Sequence, residues 1–104
     1  MNIQLFDENL EVFINSLQKF TIAKISRTVD LLKKFGNQLG MPQSKKVAER
    51  LFELRIRGVQ EVRIFYTLKN GVAILLHGYI KKSQKIPQKE LLAAQKCLQQ
   101  LDII

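Results

Sequence analysis

The chain has 104 residues, 46% of them apolar, and carries 17 lysines and arginines against 9 aspartates and glutamates, a formal net charge of +8. This length and apolar content predict one domain, residues 1–104, with a core of its own. The longest apolar run, residues 72–76, is far shorter than the ~20 residues of a transmembrane helix, and the N-terminus lacks a secretory signal pattern, so we expect a cytoplasmic protein without a membrane partner.

Apolar residues spaced three and four apart predict two helices at the start of the chain. The first covers residues 7–20 and its apolar stripe ends at Phe20; the second begins after Thr21 as N-cap and ends at Gly36. Almost no loop separates them, which predicts an antiparallel pair. Residues 36–46, rich in Gly, Asn, Pro and Ser, are predicted to be a loop.

The second half of the chain shows the period of β-strands. Residues 51–80 predict a three-stranded antiparallel meander, with Asn70-Gly71 as a two-residue hairpin turn. Residues 2–5 leave room for a fourth strand, which would be very short. Pro87 is well placed as the first residue of a final helix. The predicted fold class is α+β: two N-terminal helices packed on a three- or four-stranded antiparallel sheet, with a C-terminal helix.

The alternation of side chains predicts how the first two strands pair. Both apolar rows face the core together if Ile56 lies opposite Val62, and this pairing sets Arg55 opposite Arg63. Like charges directly opposite destabilise a sheet, but an arginine pair on an open sheet face is a suitable place to hold an anion. Glu53, diagonal to Arg63, would offset the repulsion or act as a base.

The predicted hairpin extends this register to the third strand. It sets Arg63 opposite Gly78 and directs His77 and Tyr79 toward the helices, which favours a core position for both. A one-residue slip would reverse that assignment. Lys82 then continues the concave surface that the two arginines line.

Most of the positive charge lies in residues 45–104, which carry twelve basic and five acidic residues, whereas residues 1–44 carry five and four. A concentrated basic surface attracts phosphate backbones and acidic proteins, or it is only a solvated face. The run Lys81-Lys82-Ser83-Gln84-Lys85 is open to the same two interpretations.

The residues needed for several other common kinds of catalytic or metal site are missing from the sequence. One Cys and one His exclude a Cys/His zinc site within one chain, and no Gly-rich phosphate loop, paired acidic metal site or serine triad pattern is visible. Cys97 has no nearby His and no position at a helix start, so a role as nucleophile is not expected. An enzyme built from these residues would need no metal or other cofactor and would depend on cationic groups.

Several segments in this order resemble the HigB-like branch of the RelE/ParE toxin superfamily, which includes phage-derived toxin-like proteins. The resemblance covers about residues 50–97. It is carried by Glu53-Leu54-Arg55, by Val62-Arg63-Ile64-Phe65-Tyr66, by Leu75-Leu76-His77-Gly78-Tyr79-Ile80-Lys81-Lys82-Ser83-Gln84-Lys85-Ile86-Pro87, and by Glu90 and Ala93-Ala94.

The resemblance implies the toxin of a type II toxin–antitoxin system. Such a toxin is a metal-independent endoribonuclease that cuts mRNA on the ribosome, and a cognate antitoxin, often with a helix-turn-helix, neutralises it. In the family's chemistry the ribose 2′-OH attacks the neighbouring phosphate while basic side chains stabilise the charge. Two alternatives stay open: a ParE-like inhibitor of DNA gyrase that cleaves no RNA, and an inactive prophage remnant that only binds an antitoxin.

The candidate site residues combine the basic face with this resemblance. Those expected to act at the scissile phosphate are Arg55, Arg63, Lys82, Glu53 and Tyr79. Those expected to hold flanking RNA are Arg57, Lys81, Gln84 and Lys85. Several family members carry a catalytic His or Tyr near the C-terminus, where this chain ends Leu101-Asp102-Ile103-Ile104, so the general base is open among Glu53, Tyr79 and a lysine of lowered pKa.

Overall fold

The computed structural model describes residues 1–103, which form three α-helices and one five-stranded sheet. The strands are β1 (Asn2–Leu5), β2 (Ser44–Ala48), β3 (Leu51–Ile56), β4 (Val62–Lys69) and β5 (Val72–Ile80). The helices are α1 (Glu8–Asn15), α2 (Lys19–Phe35) and α3 (Gln88–Ile103). The α+β class is therefore confirmed. No helix in this part of the chain is long and apolar enough to cross a membrane.

The sheet is larger than predicted, with strand order β1-β5-β4-β3-β2. The meander β3-β4-β5 is confirmed, and both residues of the Asn70-Gly71 turn have positive φ. The prediction of a wholly antiparallel sheet is wrong, because β1 pairs parallel to β5. The prediction of a loop over residues 36–46 is wrong at its C-terminal end, where β2 begins at Ser44 and pairs with β3. β2 is an edge strand with two lysines, and such a strand gives little apolar alternation.

The break between the first two helices lies earlier than predicted. α1 ends at Asn15, and the Ser16 hydroxyl donates a 2.6 Å hydrogen bond to the carbonyl oxygen of Phe13. Thr21 does not cap α2 but is buried within it. Phe20, predicted on the stripe of the first helix, belongs to the first turn of α2 and is exposed. The apolar spacing continues across the break and therefore hides it.

Helices cover both faces of the sheet. Residues of α1 and α2, including Leu10, Ile25 and Leu32, pack against one face. Ala94 of α3 packs against the opposite face, in a second cluster with Phe65. The sequence predicts that the face with the two arginines is open along its whole length. This prediction is wrong, because α3 covers the middle of that face and leaves one end free.

An irregularity in the β4–β5 pairing changes which way the residues of β5 point. The register shifts between Phe65 and Tyr66, so that Arg63 lies opposite Tyr79 and Phe65 opposite His77. The predicted pairing of Arg63 with Gly78 is wrong by one residue, and so is the orientation of His77 and Tyr79 toward the first two helices. A bulge reverses the faces of all residues beyond it, and nothing in the alternation marks its position.

Gly78 tests this register, because it now faces α1. A methyl group at this position would lie 2.8 Å from Cε2 of Phe13 and 3.3 Å from Cδ1 of Leu10. We expect Gly78→Ala to lower the free energy of unfolding by roughly 1–3 kcal/mol through overpacking, as measured by urea denaturation. Gly40→Ala is the matched control, because open space surrounds Gly40. Equal urea midpoints for the two variants would contradict the bulged register.

Candidate anion-binding cleft

A cleft of about 520 Å³ opens at the free end of the arginine face. Its walls come from the end of β3, the β3–β4 turn, the start of β4 and the segment after β5. The lining residues are Arg55, Arg57, Glu61, Arg63, Lys81, Lys82, Ser83 and Gln84. Five cations and one carboxylate therefore meet around one space, and such an excess of positive charge favours an anionic ligand.

Strand pairing explains this convergence. Arg55 lies directly opposite Arg63, as predicted from the apolar rows. The pairing of β5 with β4 continues past Ile80, because the N–H of Lys81 donates a 2.7 Å hydrogen bond to the carbonyl oxygen of Glu61. This bond keeps the basic run 81–84 beside the start of β4, so that its side chains face the same cleft.

The floor of the cleft is a charge cluster built around two buried side chains, Arg63 and Glu53. The Arg63 side chain is only 1% exposed, and Glu53 beneath it is buried. Oε1 of Glu53 lies 3.6 Å from Nε of both Arg55 and Arg63, and Oε2 of Glu61 lies 3.5 Å from Nη2 of Arg63. Glu53 thus stands between the two arginines, where its charge offsets their repulsion.

Tyr79 lies behind the cleft rather than in it. Its ring is buried and stacks on Phe65, with the centroids 5.7 Å apart. Burial, helped by the negative charge of Glu53, raises the pKa of Tyr79 to about 12, although Arg63 acts against this shift. The phenol is therefore neutral at physiological pH, where it can donate a hydrogen bond but does not serve as a base.

This raised pKa predicts a loss of stability at high pH. The folded protein holds the Tyr79 proton to about pH 12, whereas the unfolded chain releases it near the ordinary value of 10.0. The stabilisation is complete below the ordinary pKa and is lost as the pH rises through the folded one. We expect urea midpoints to fall less steeply for Tyr79→Phe than for the wild type between about pH 9 and 12. Parallel curves would contradict the assignment.

Two titratable residues of the basic segment and of β5 lie outside the cleft. Lys85 does not line it, and its carbonyl oxygen accepts a 3.0 Å hydrogen bond from the Ser83 hydroxyl. His77 points to the α3 side of the sheet, where its Nε2 lies 2.9 Å from Oε1 of Glu90. His77 is thus a partly buried, hydrogen-bonded residue, and the cleft has no imidazole among its described lining residues.

Sequence reasoning missed two lining residues, Glu61 and Ser83. Glu61 stands two positions before Arg63, so strand alternation places it on the arginine face, although it precedes the first residue of β4. Ser83 lies within the basic run, between Lys82 and Gln84. Both could have been found by position alone, without any further pattern.

Cys97 lines a separate cavity of about 340 Å³ with Asp7 and His77, but its thiol is not activated. Burial raises the pKa of the Cys97 thiol, with a further contribution from Asp7, which keeps the sulfur protonated. Its Sγ donates to the carbonyl oxygen of Leu76 at 3.7 Å. Within residues 1–103, no group of three or more His, Cys, Asp or Glu side chains is placed to hold a metal ion.

Comparison with protein families bears on this cleft. The family model described as phage derived protein Gp49-like (DUF891) matches residues 12–99, which contain every lining residue. The chain belongs to the Gp49-like family. This family is part of the RelE/ParE-like toxin superfamily, which confirms the superfamily that the sequence resemblance indicates. A Gp49-like chain is a phage-derived, toxin-like protein, and membership suggests an antitoxin partner. Curated proteins give no match to the chain.

Proposed function

We propose that this Gp49-like chain is the toxin of a type II toxin–antitoxin system, of the HigB-like branch, and that it cleaves mRNA on the ribosome in the cytoplasm without a metal ion. One observation carries the proposal: five cations converge on one cleft at the free end of the sheet. The relation of the family to RelE-type endoribonucleases supports it. The cognate antitoxin, with a helix-turn-helix, would be encoded by a neighbouring gene.

The cleft residues divide the work according to their exposure. The Arg55 side chain, 13% exposed, and the exposed Lys82 reach a phosphate in the cleft. Arg57, Lys81 and Gln84 line the rim and would hold the phosphates on either side. Arg63 supports Arg55 from the floor. Such fixed cations stabilise charge that develops on the phosphate, commonly the largest single contribution to catalysis.

The reaction needs no covalent bond to the protein. The ribose 2′ oxygen forms a bond to phosphorus while the bond from phosphorus to the 5′ oxygen breaks, leaving a 2′,3′-cyclic phosphate and a 5′-hydroxyl end. The proton of the 2′-OH must go to a base and the 5′ oxygen must gain one. Glu61 is the carboxylate that lines the cleft, with 43% of its side chain exposed, so it is better placed for this transfer than the buried Glu53.

A second candidate function is non-nucleolytic: a ParE-like inhibitor of DNA gyrase, or an inactive remnant that only binds its antitoxin. One observation favours it: the described lining residues include neither an imidazole nor a phenol for proton transfer, because His77 and Tyr79 both lie outside the cleft. A basic cleft of this kind also binds the acidic surface of a partner protein.

The decisive experiment is expression of the full chain followed by primer extension on cellular mRNA. We expect codon-phased cuts soon after induction, and protection when the neighbouring antitoxin gene is co-expressed. A parallel assay with purified protein and one mRNA, with and without ribosomes, would locate the requirement for the ribosome. DNA damage with intact mRNA would refute the nuclease and support the gyrase inhibitor.

A further inference from the structure

A second, smaller groove lies on the other side of the β3–β4 turn from the cleft. It measures about 190 Å³ and is lined by Gln18, Phe20, Thr21, Lys24, Gly58 and Val59. Phe20 is 86% exposed and Val59 is 92% exposed, more than any other large apolar side chain among residues 1–103. An aromatic ring and a branched side chain held in water at the edge of a groove are open to a ligand.

The groove and the cleft share one piece of backbone. Arg57 lines the cleft and its neighbour Gly58 lines the groove. Lys24 joins them, because its Nζ donates a 2.9 Å hydrogen bond to the carbonyl oxygen of Arg57. A side chain at Gly58 would meet Lys24 Nζ at 2.8 Å, so glycine permits this contact. On the same side, Oε1 of Gln60 accepts a 3.0 Å hydrogen bond from the N–H of Gln18. These bonds hold the start of α2 against the turn.

From this arrangement we propose that the groove is a nucleobase subsite. A base of the same RNA strand whose phosphate occupies the cleft stacks on the Phe20 ring, beside Val59 and the Lys24 ammonium. The inference rests on the proposed function, since it needs a nucleic acid in the cleft. Cationic grooves interleaved with exposed aromatic rings are how single-stranded nucleic acids are bound without base specificity.

Size and charge favour a base over a docked protein segment. A stable protein interface buries about 800 Å² on each partner, whereas this groove offers two exposed apolar side chains and room for a single ring. Among residues 1–103, no carboxylate lines the groove, and Lys24 supplies the positive charge that a neighbouring phosphate or a base oxygen would meet. Because Arg57 of the cleft and Gly58 of the groove are consecutive residues, an RNA strand that crosses this backbone meets both.

The test is binding of the full chain to a single-stranded RNA of about 12 nucleotides, with 2′-O-methyl groups that prevent cleavage and 2-aminopurine placed at each position in turn. We expect the wild type to change the 2-aminopurine fluorescence when the RNA binds. Phe20→Ala should abolish that fluorescence change and weaken RNA binding roughly tenfold. Phe20→Trp should keep the fluorescence change and the wild-type affinity. The matched control is Phe35→Ala, which removes an exposed ring at the far end of the same helix.

Each other outcome counts against the inference. Equal affinity for Phe20→Ala and Phe35→Ala would overturn it and leave RNA binding in the cleft intact. Full rescue by Phe20→Leu would show an apolar contact without stacking, which also overturns it. Normal RNA binding by Phe20→Ala with loss of neutralisation by the antitoxin would assign the groove to a protein. A wild type that binds no free RNA would overturn the subsite alone, whereas intact mRNA after induction of the full chain would refute the proposed function.

Discussion

Arg63→Ala is expected to lower the free energy of unfolding by about 3 kcal/mol, because it leaves Glu53 buried with only part of its compensating charge. The Arg63 side chain is 1% exposed and lies 3.6 Å from the Glu53 carboxylate. Breaking a buried ion pair commonly costs about 3–5 kcal/mol, and we expect the lower end since Arg55 still faces Glu53. Urea denaturation at neutral pH measures the change.

Two further variants make this result interpretable. Lys82→Ala removes a cation from the same cleft but an exposed one, so the free energy of unfolding should change by less than about 0.5 kcal/mol. The double variant Glu53→Gln with Arg63→Met removes both charges and should recover part of the loss, because no buried carboxylate is left without Arg63. If Arg63→Ala unfolds at the same urea concentration as Lys82→Ala, the cluster does not stabilise the fold.

The stability of this cluster affects how any activity result is interpreted. The sequence predicts Arg63 on an open sheet face, but the structure buries it at the floor of the cleft, beside the basic run. Loss of toxicity in Arg63→Ala would therefore combine a folding defect with any effect on RNA. Variants of the exposed cations at the rim of the cleft distinguish an effect on RNA from a folding defect.

The fold is predictable where a local pattern decides it. Alternation from Phe52 onward and the Asn-Gly turn give the meander, and matching the apolar rows gives the Arg55–Arg63 pairing. Two features follow from long-range contacts instead. β2 is set by pairing to β3 at an exposed edge, and the bulge after Phe65 is a shift in the pairing of β4 with β5. Neither leaves a mark in the periodicity.

The site shows the same division. The cations of the cleft were predictable, because strand parity fixes Arg55 and Arg63 and because Lys81 and Lys82 directly follow β5. The positions of Tyr79 and His77 were not, since both lie beyond the bulge, and a shift of one residue exchanges the two sheet faces. The roles of these residues in catalysis stay predictions.

The cleft hypothesis makes its largest prediction for Lys82→Ala. This change should slow ribosome-dependent mRNA cleavage by about a hundredfold, because it removes a fixed cation at the phosphate where negative charge develops. Growth arrest on expression should be lost in parallel. Cleavage rates at saturating protein, followed by primer extension on one mRNA, measure the effect, and the exposed position of Lys82 keeps the fold intact.

Lys85→Ala is the matched control, since it removes the same charge from the same segment, three residues away and outside the cleft. The two variants have equal net charge, so non-specific attraction to ribosomal RNA changes equally in both. A large loss for Lys82→Ala with a small one for Lys85→Ala would locate the chemistry in the cleft. Equal losses would mean that total charge, rather than the geometry at the free end of the sheet, determines the activity, and wild-type rates in both would remove Lys82 from the site.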